Sequence, residues 1–189
     1  MRFSLRNVSL GLALASFATV GFASAQTLVG VNARLDHTIS SQSAKVGETV
    51  TAKLKEKVSV DGVKLPKNTT LIGTVTEAKS SENRGPSSLV LTFTEAELKG
   101  GKKIKVKATV IAAYPADQAD QSVNSNQFLP LPPATVSSDF AADQSGALGK
   151  ISLSSSAQKD SSVTFTQKKG NFRLDAGTYL QMGIGTSAD

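Results

Sequence analysis

The amino-acid sequence predicts an all-β fold, a single small β-barrel or barrel-like sandwich with one long polar, proline-containing insertion loop. Three observations predict it. Apolar and polar residues alternate in several short runs, which is the period of a half-buried strand. Turn-forming residues punctuate those runs, as in Asp61-Gly62, Gly85-Pro86, Gly100-Gly101 and Gly170-Asn171. Between Pro115 and Ser145 the alternation stops and Ala, Asp, Gln, Ser and Asn take over, the mark of an excursion from the framework.

The chain opens with Arg2 and Arg6, continues through a mostly apolar stretch from Val8 to Phe22, and reaches Ala23-Ser24-Ala25 ahead of Gln26. A positive start, a short apolar middle and small residues at the cleavage point are the parts of a secretory signal peptide. Residues 1–25 are therefore expected to be removed and the protein exported, to the periplasm or the extracellular space. The sequence has no cysteine, so neither a disulfide nor a lipid on the new N-terminus is available. Residues 26–189 fit one domain, and a chain of that length buries roughly two thirds of its unfolded surface. Loss of Arg2 and Arg6 lowers the formal charge from +6 to +4, a modest basic excess. No later stretch approaches the ~20 apolar residues of a membrane-crossing helix.

The first expected strand is 33–39, where Ala33, Leu35, His37 and Ile39 fall on alternate positions. Val46-Gly47-Glu48 turns into 49–58. There Val50, Ala52, Leu54 and Val58 share a face with Glu56, and Thr51, Lys53, Lys55 and Lys57 take the other. Asp61-Gly62 supplies a tight turn, and Pro66 fixes its own φ while holding Leu65 extended. Gly73 interrupts the strand at 69–76, which suits a bend or the close approach of another backbone. Residues 80–87 form a polar break. Leu89, Leu91 and Phe93 then share a face, but the apolar phase moves to Ala96 and Leu98, so a bulge or strand end belongs near Thr94 and Glu95. Lys99-Gly100-Gly101-Lys102 reads as a hairpin turn. It leads to Ile104, Val106, Ala108 and Val110 opposite Lys103, Lys105, Lys107 and Thr109. Residues 115–147 are expected as a long loop, with a short helix over 136–142. The barrel resumes at 148–153, 162–167 and 172–184, with Lys168-Lys169-Gly170-Asn171 as the hairpin turn between the last two.

Gly47-Glu48-Thr49-Val50, the run from Leu65 to Val75, Ser88-Leu89-Val90-Leu91-Thr92-Phe93, the Gly100-Gly101 turn and Leu174-Asp175-Ala176-Gly177-Thr178-Tyr179-Leu180 come in an order that resembles a known family. The likeness is to the C-terminal β-barrel domain of TrbI-like proteins of type IV secretion and conjugation systems, and to small secreted bacterial β-proteins sharing that pattern. It covers 44–112 and the last dozen residues, and its motifs are glycine, proline and apolar positions. The resemblance implies a barrel and an assembly or scaffold role in the cell envelope.

Candidate chemistry is sparse. His37, the single histidine, adjoins Asp36, but neighbours on a strand face opposite ways, and without cysteine or a second histidine zinc has no usual donor set. Glu95 and Glu97 share a strand face, as an acid–base pair would; the plainer role is to neutralise lysines at a strand end. Ser154-Ser155-Ser156 lacks a nucleophile-elbow pattern, and no phosphate-binding glycine loop is present. The expectation is a protein that is not an enzyme, with no catalytic residue, metal or cofactor. For binding, Lys53, Lys55, Lys57 and Lys103, Lys105, Lys107 each line one face of a strand, and as neighbours the two strands would form a basic patch. No aromatic residue interleaves them as base stacking requires, which argues against nucleic acid. Phe128, Leu129 and Leu131 lie among prolines in a segment of the kind partners clasp. The expected function is that of a secreted or periplasmic, non-catalytic envelope module that engages an envelope protein or polyanionic polymer. The alternative is a standalone polyanion- or glycan-binding protein using the lysine faces.

Overall fold

The computed structural model describes residues 27–117, 132–137, 140–157 and 162–186. The expected signal peptide and Phe128, Leu129 and Leu131 lie outside them. The described chain is nearly all-β, as expected. Its first eight strands are β1 (Leu28–Leu35), β2 (Ile39–Ser40), β3 (Thr49–Leu54), β4 (Val58–Val60), β5 (Val63–Leu65), β6 (Thr70–Lys79), β7 (Ser87–Glu97) and β8 (Lys103–Tyr114). The remainder are β9 (Thr135–Val136), β10 (Ala141–Leu148), β11 (Ile151–Ser156), β12 (Ser162–Gln167), β13 (Arg173–Leu174) and β14 (Tyr179–Thr186).

Six antiparallel strands close a barrel in the order β1-β3-β6-β7-β8-β14 and back to β1. Its interior is filled by the alternate residues that the sequence set on one face: Val31, Ala33 and Leu35, then Val50, Ala52 and Leu54, and across from them Leu89, Leu91 and Phe93. Val106, Ala108 and Val110 join Leu180, Met182 and Ile184 to complete the wall. Each such Leu, Ile, Val, Met or Phe contributes about 1.5–3 kcal/mol by leaving water.

The phase break at Thr94 is where the sheet branches. Between Ile72 and Gly73 on β6 the register against β7 slips from Glu95 to Phe93, leaving Thr94 as the extra, exposed residue of a bulge. On its far edge β7 divides its partners there, with 93–97 pairing β8 and 87–92 pairing β12. β12, β11 and β10 extend from that point as a wing. The edge of β8 that β7 leaves is met by side chains of the wing: the Ser155 hydroxyl donates to the Val110 carbonyl, and the Gln144 Oε1 accepts from the Ala113 amide at 3.3 Å. Unpaired backbone groups are thus satisfied without a further strand. Gly73 itself sits under Thr92 and Phe93, and a Cβ there would lie 2.5 Å from the Thr92 carbonyl oxygen, so the expected close approach is present.

Five expectations are corrected. The strand at 49–58 ends at Leu54, because continued alternation would carry the Glu56 carboxylate into the core. Instead the Lys55 amide donates to the Asn32 carbonyl, Glu56 Oε1 accepts from the Asn32 amide at 3.1 Å, and the chain resumes as β4. Residues 135–136 and 141–142 are strand, not helix: β9 pairs with Leu28 and Val29 of β1, and Val136 packs on Leu28 and Ala157 over the outer wall, so tertiary contact overrides local preference. The expected loop at 115–147 accordingly contains β9 and most of β10. Residues 168–171 bend without joining hairpin partners, since β12 pairs with β11 and β7 whereas β14 pairs with β1 and β8. The first strand ends at Leu35, which leaves Asp36 and His37 in a bend.

Candidate functional site at the basic end of the barrel

The lysine strands β3 and β8 are not neighbours, since β6 and β7 separate them one way round and β1 and β14 the other. No continuous basic wall forms. The register brings them together differently, through the row Lys53, Thr70, Glu97 and Lys103, in which each residue is the partner of the next across β3, β6, β7 and β8. The C-terminal end of β3 and the N-terminal end of β8 therefore share one rim. Lys55 and Lys57 follow on that rim in the β3–β4 connection, and Lys99 and Lys102 flank the β7–β8 turn on it; all four are exposed.

The β4–β5 hairpin closes this end. Asp61 and Gly62 both take positive φ, 47° and 80°, the conformation of a two-residue hairpin turn. Val60 and Leu65 point into the core with Val58 and Val63 packed beside them, while Ser59 and Lys64 face solvent as a cross-strand pair. The Asp61 carboxylate anchors the tip to the last strand: Oδ2 accepts from the Thr186 amide at 3.0 Å and from its hydroxyl at 2.6 Å. The corner after Pro66 is stitched down by Asn68 N to Leu54 O at 2.9 Å and by the Thr69 hydroxyl to Pro66 O at 2.8 Å. Between hairpin and corner lies a groove of about 670 Å³, in which Lys57, Lys64 and Lys67 surround Val58, Leu65 and Pro66. Sequence reading found Lys57 but missed Lys64 and Lys67, which belong to no alternating ladder; the signal available was their position on either side of the Leu65-Pro66 corner.

The acidic side chains at this end have defined partners. Glu95 Oε2 accepts from Lys103 Nζ at 2.9 Å, and through that hydrogen bond and its charge it holds the lysine above the usual ammonium range. Glu97 is the register partner of Lys103, and Lys105 that of Glu95. The two glutamates thus stand in a cross-strand charge ladder. On the opposite wall Lys53 Nζ lies 3.2 Å from Asp36 Oδ1, while Asp36 Oδ2 accepts from the Thr51 hydroxyl at 3.1 Å. The barrel's other end is mixed in sign: Lys45, Lys79, Arg84, Lys150, Lys168, Lys169 and Arg173 stand among Glu48, Glu77, Glu82, Asp117 and Asp175. Of the serines, Ser155 is buried and bonded to Val110, and Ser154 and Ser156 are exposed. Among the described residues no cluster of His, Cys, Asp or Glu could hold a metal ion, and no helix is long and apolar enough to cross a membrane.

Fold and rim together define a closed six-stranded barrel with a β-wing and one basic end. No family model matches the chain, and no curated protein matches it. Among solved structures it is similar to ComB10 of the Com Type IV secretion system of Helicobacter pylori, with a TM-score of 0.39 and 10% identity over 84% of this chain and 85% of that one.

Proposed function

We propose that this chain is an exported, non-catalytic interaction module of the cell envelope, in a role like that of the TrbI-like barrel domain, and that it meets an anionic partner with the basic end of its barrel. The observation that carries the reading is the convergence of lysines from the β3–β6 connection and from β8 on one rim, against a far end of mixed sign. An end on which lysines outnumber the carboxylates of Glu56, Asp61, Glu95 and Glu97 carries a net positive field, which raises the local concentration of an oppositely charged partner and speeds encounter. Export rests on the signal-like residues 1–25, and the envelope role on the barrel pattern of 44–112.

Heparin chromatography tests the surface. The variant K55Q/K57Q/K102Q leaves the ion-paired Lys53 and Lys103 in place and should elute at clearly lower salt than the native protein, whereas K45Q/K79Q/K168Q, with the same change in net charge at the other end, should shift less. Equal shifts would reduce the effect to net charge and remove the rim as the working surface. Recovery of the protein in the cytoplasm with residues 1–25 attached would remove export.

A further inference from the structure

We infer that the groove between the β4–β5 hairpin and the Pro66 corner is a binding site for the phosphate headgroup of an anionic lipid, and that the basic end of the barrel docks on an anionic lipid surface. The inference rests on the basic-end reading above and names its partner.

The groove differs from the rest of the rim in having two chemistries in one place. Lys57, Lys64 and Lys67 are exposed and, among the described residues, none is drawn into an ion pair. An ammonium on a four-carbon stem is a suitable point-charge ligand for phosphate. Between them lie the side chains of Val58 and Pro66 over a buried Leu65. A soluble polyanion has no use for that apolar strip, whereas a lipid places methylenes directly beneath its phosphate, and lysine stems lie along apolar surface while their charges reach outward. The volume of about 670 Å³ is in the range of ligand-sized clefts, ~300–1,000 Å³. Lys55, Lys99 and Lys102 stand on the same rim, and each basic residue near an anionic bilayer adds to attraction that salt screens. Of the acids at this end Glu95 is ion-paired with Lys103, whereas Glu56 and Asp61 accept from uncharged donors on Asn32 and Thr186 and, with Glu97, offset part of the charge of the more numerous lysines.

The test is co-sedimentation of the exported protein with phosphatidylcholine vesicles, with and without phosphatidylglycerol. The native protein should bind only the anionic vesicles and be released by salt. The variant K57Q/K64Q/K67Q should bind them at least about tenfold more weakly, while K45Q/K79Q/K168Q should bind nearly as the native protein does. A matching thermal midpoint for both variants shows that they fold. No binding to anionic vesicles, or equal loss in both variants, overturns the inference. Displacement by inorganic phosphate as readily as by salt of higher ionic strength would reassign the groove to a free anion and also overturn it. Heparin retention that depends on Lys55, Lys57 and Lys102 without any vesicle binding would leave the basic-end reading standing and remove this one alone; absence of both removes the two together.

Discussion

Tyr114 and Tyr179 are the only tyrosines of the chain and are cross-strand partners on β8 and β14. Burial raises both phenols above the usual 10.0, and at Tyr179 the charge of Glu56 adds to the effect while Arg34 opposes it. A group whose folded pKa is raised keeps its proton after the unfolded chain has released it. The stabilisation is then fully present below pH 10 and is lost as the pH climbs through the folded value; Lys103, raised by Glu95, acts in the same direction. Tyrosinate absorbance should therefore titrate at higher pH in the native protein than in urea, and the urea midpoint should fall from pH 10 upward. Superimposed absorbance curves would show that neither ring is withdrawn from water. At this scale the sequence was legible wherever the cause is local. Gly73 and the phase break at Thr94 announce themselves because each is a departure from alternation within one strand. Lys64 and Lys67 were not legible, because what groups them with Lys57 is the folding back of the hairpin.

Among the elements, the β4–β5 hairpin shows the same division. Its turn was readable in Asp61-Gly62, two residues suited to positive φ. Its separation from β3 was not, because the chain leaves β3 to bond with Asn32 of β1, more than twenty positions away. The element is held by one carboxylate that satisfies the final strand and by four apolar side chains turned inward. Replacing Asp61 by Ala removes both hydrogen bonds to Thr186 and puts at positive φ a residue without the short polar side chain that makes that region tolerable, a combined cost of about 1–3 kcal/mol. Asp61→Asn keeps an oxygen acceptor and a residue tolerant of that backbone, and should cost less than about 1 kcal/mol. Urea denaturation of the two variants checks the order; equal losses would mean that the carboxylate's charge, not the turn conformation, holds the hairpin.

The whole molecule is organised by β7, which belongs to the barrel through β6 and β8 and to the wing through β12. Strand adjacency is a long-range property that alternation does not encode, which is why the lysine face of β8 could be read from the sequence while its sharing of a rim with Lys53, and the departure of Lys55 and Lys57 from β3, could not. The core does not respect the division between barrel and wing: Leu153, Val163 and Phe165 of the wing are buried in one cluster with Leu89, Leu91 and Phe93 of β7 and with the barrel interior. A shared core couples the two parts, so heat or urea should unfold them in a single transition, with fluorescence-independent probes such as far-UV dichroism and amide exchange giving the same midpoint. Below that transition the ranking of local opening follows pairing and burial. β10 is the outermost strand of the wing and is largely exposed, whereas β14 is paired on both edges and buried along almost its whole length. Amides of β10 should thus exchange earliest among the strands and those of β14 at the rate of global unfolding. Two separated transitions, or a β14 that exchanges as fast as β10, would mean that the wing and the barrel are independent bodies and that β7 merely adjoins them.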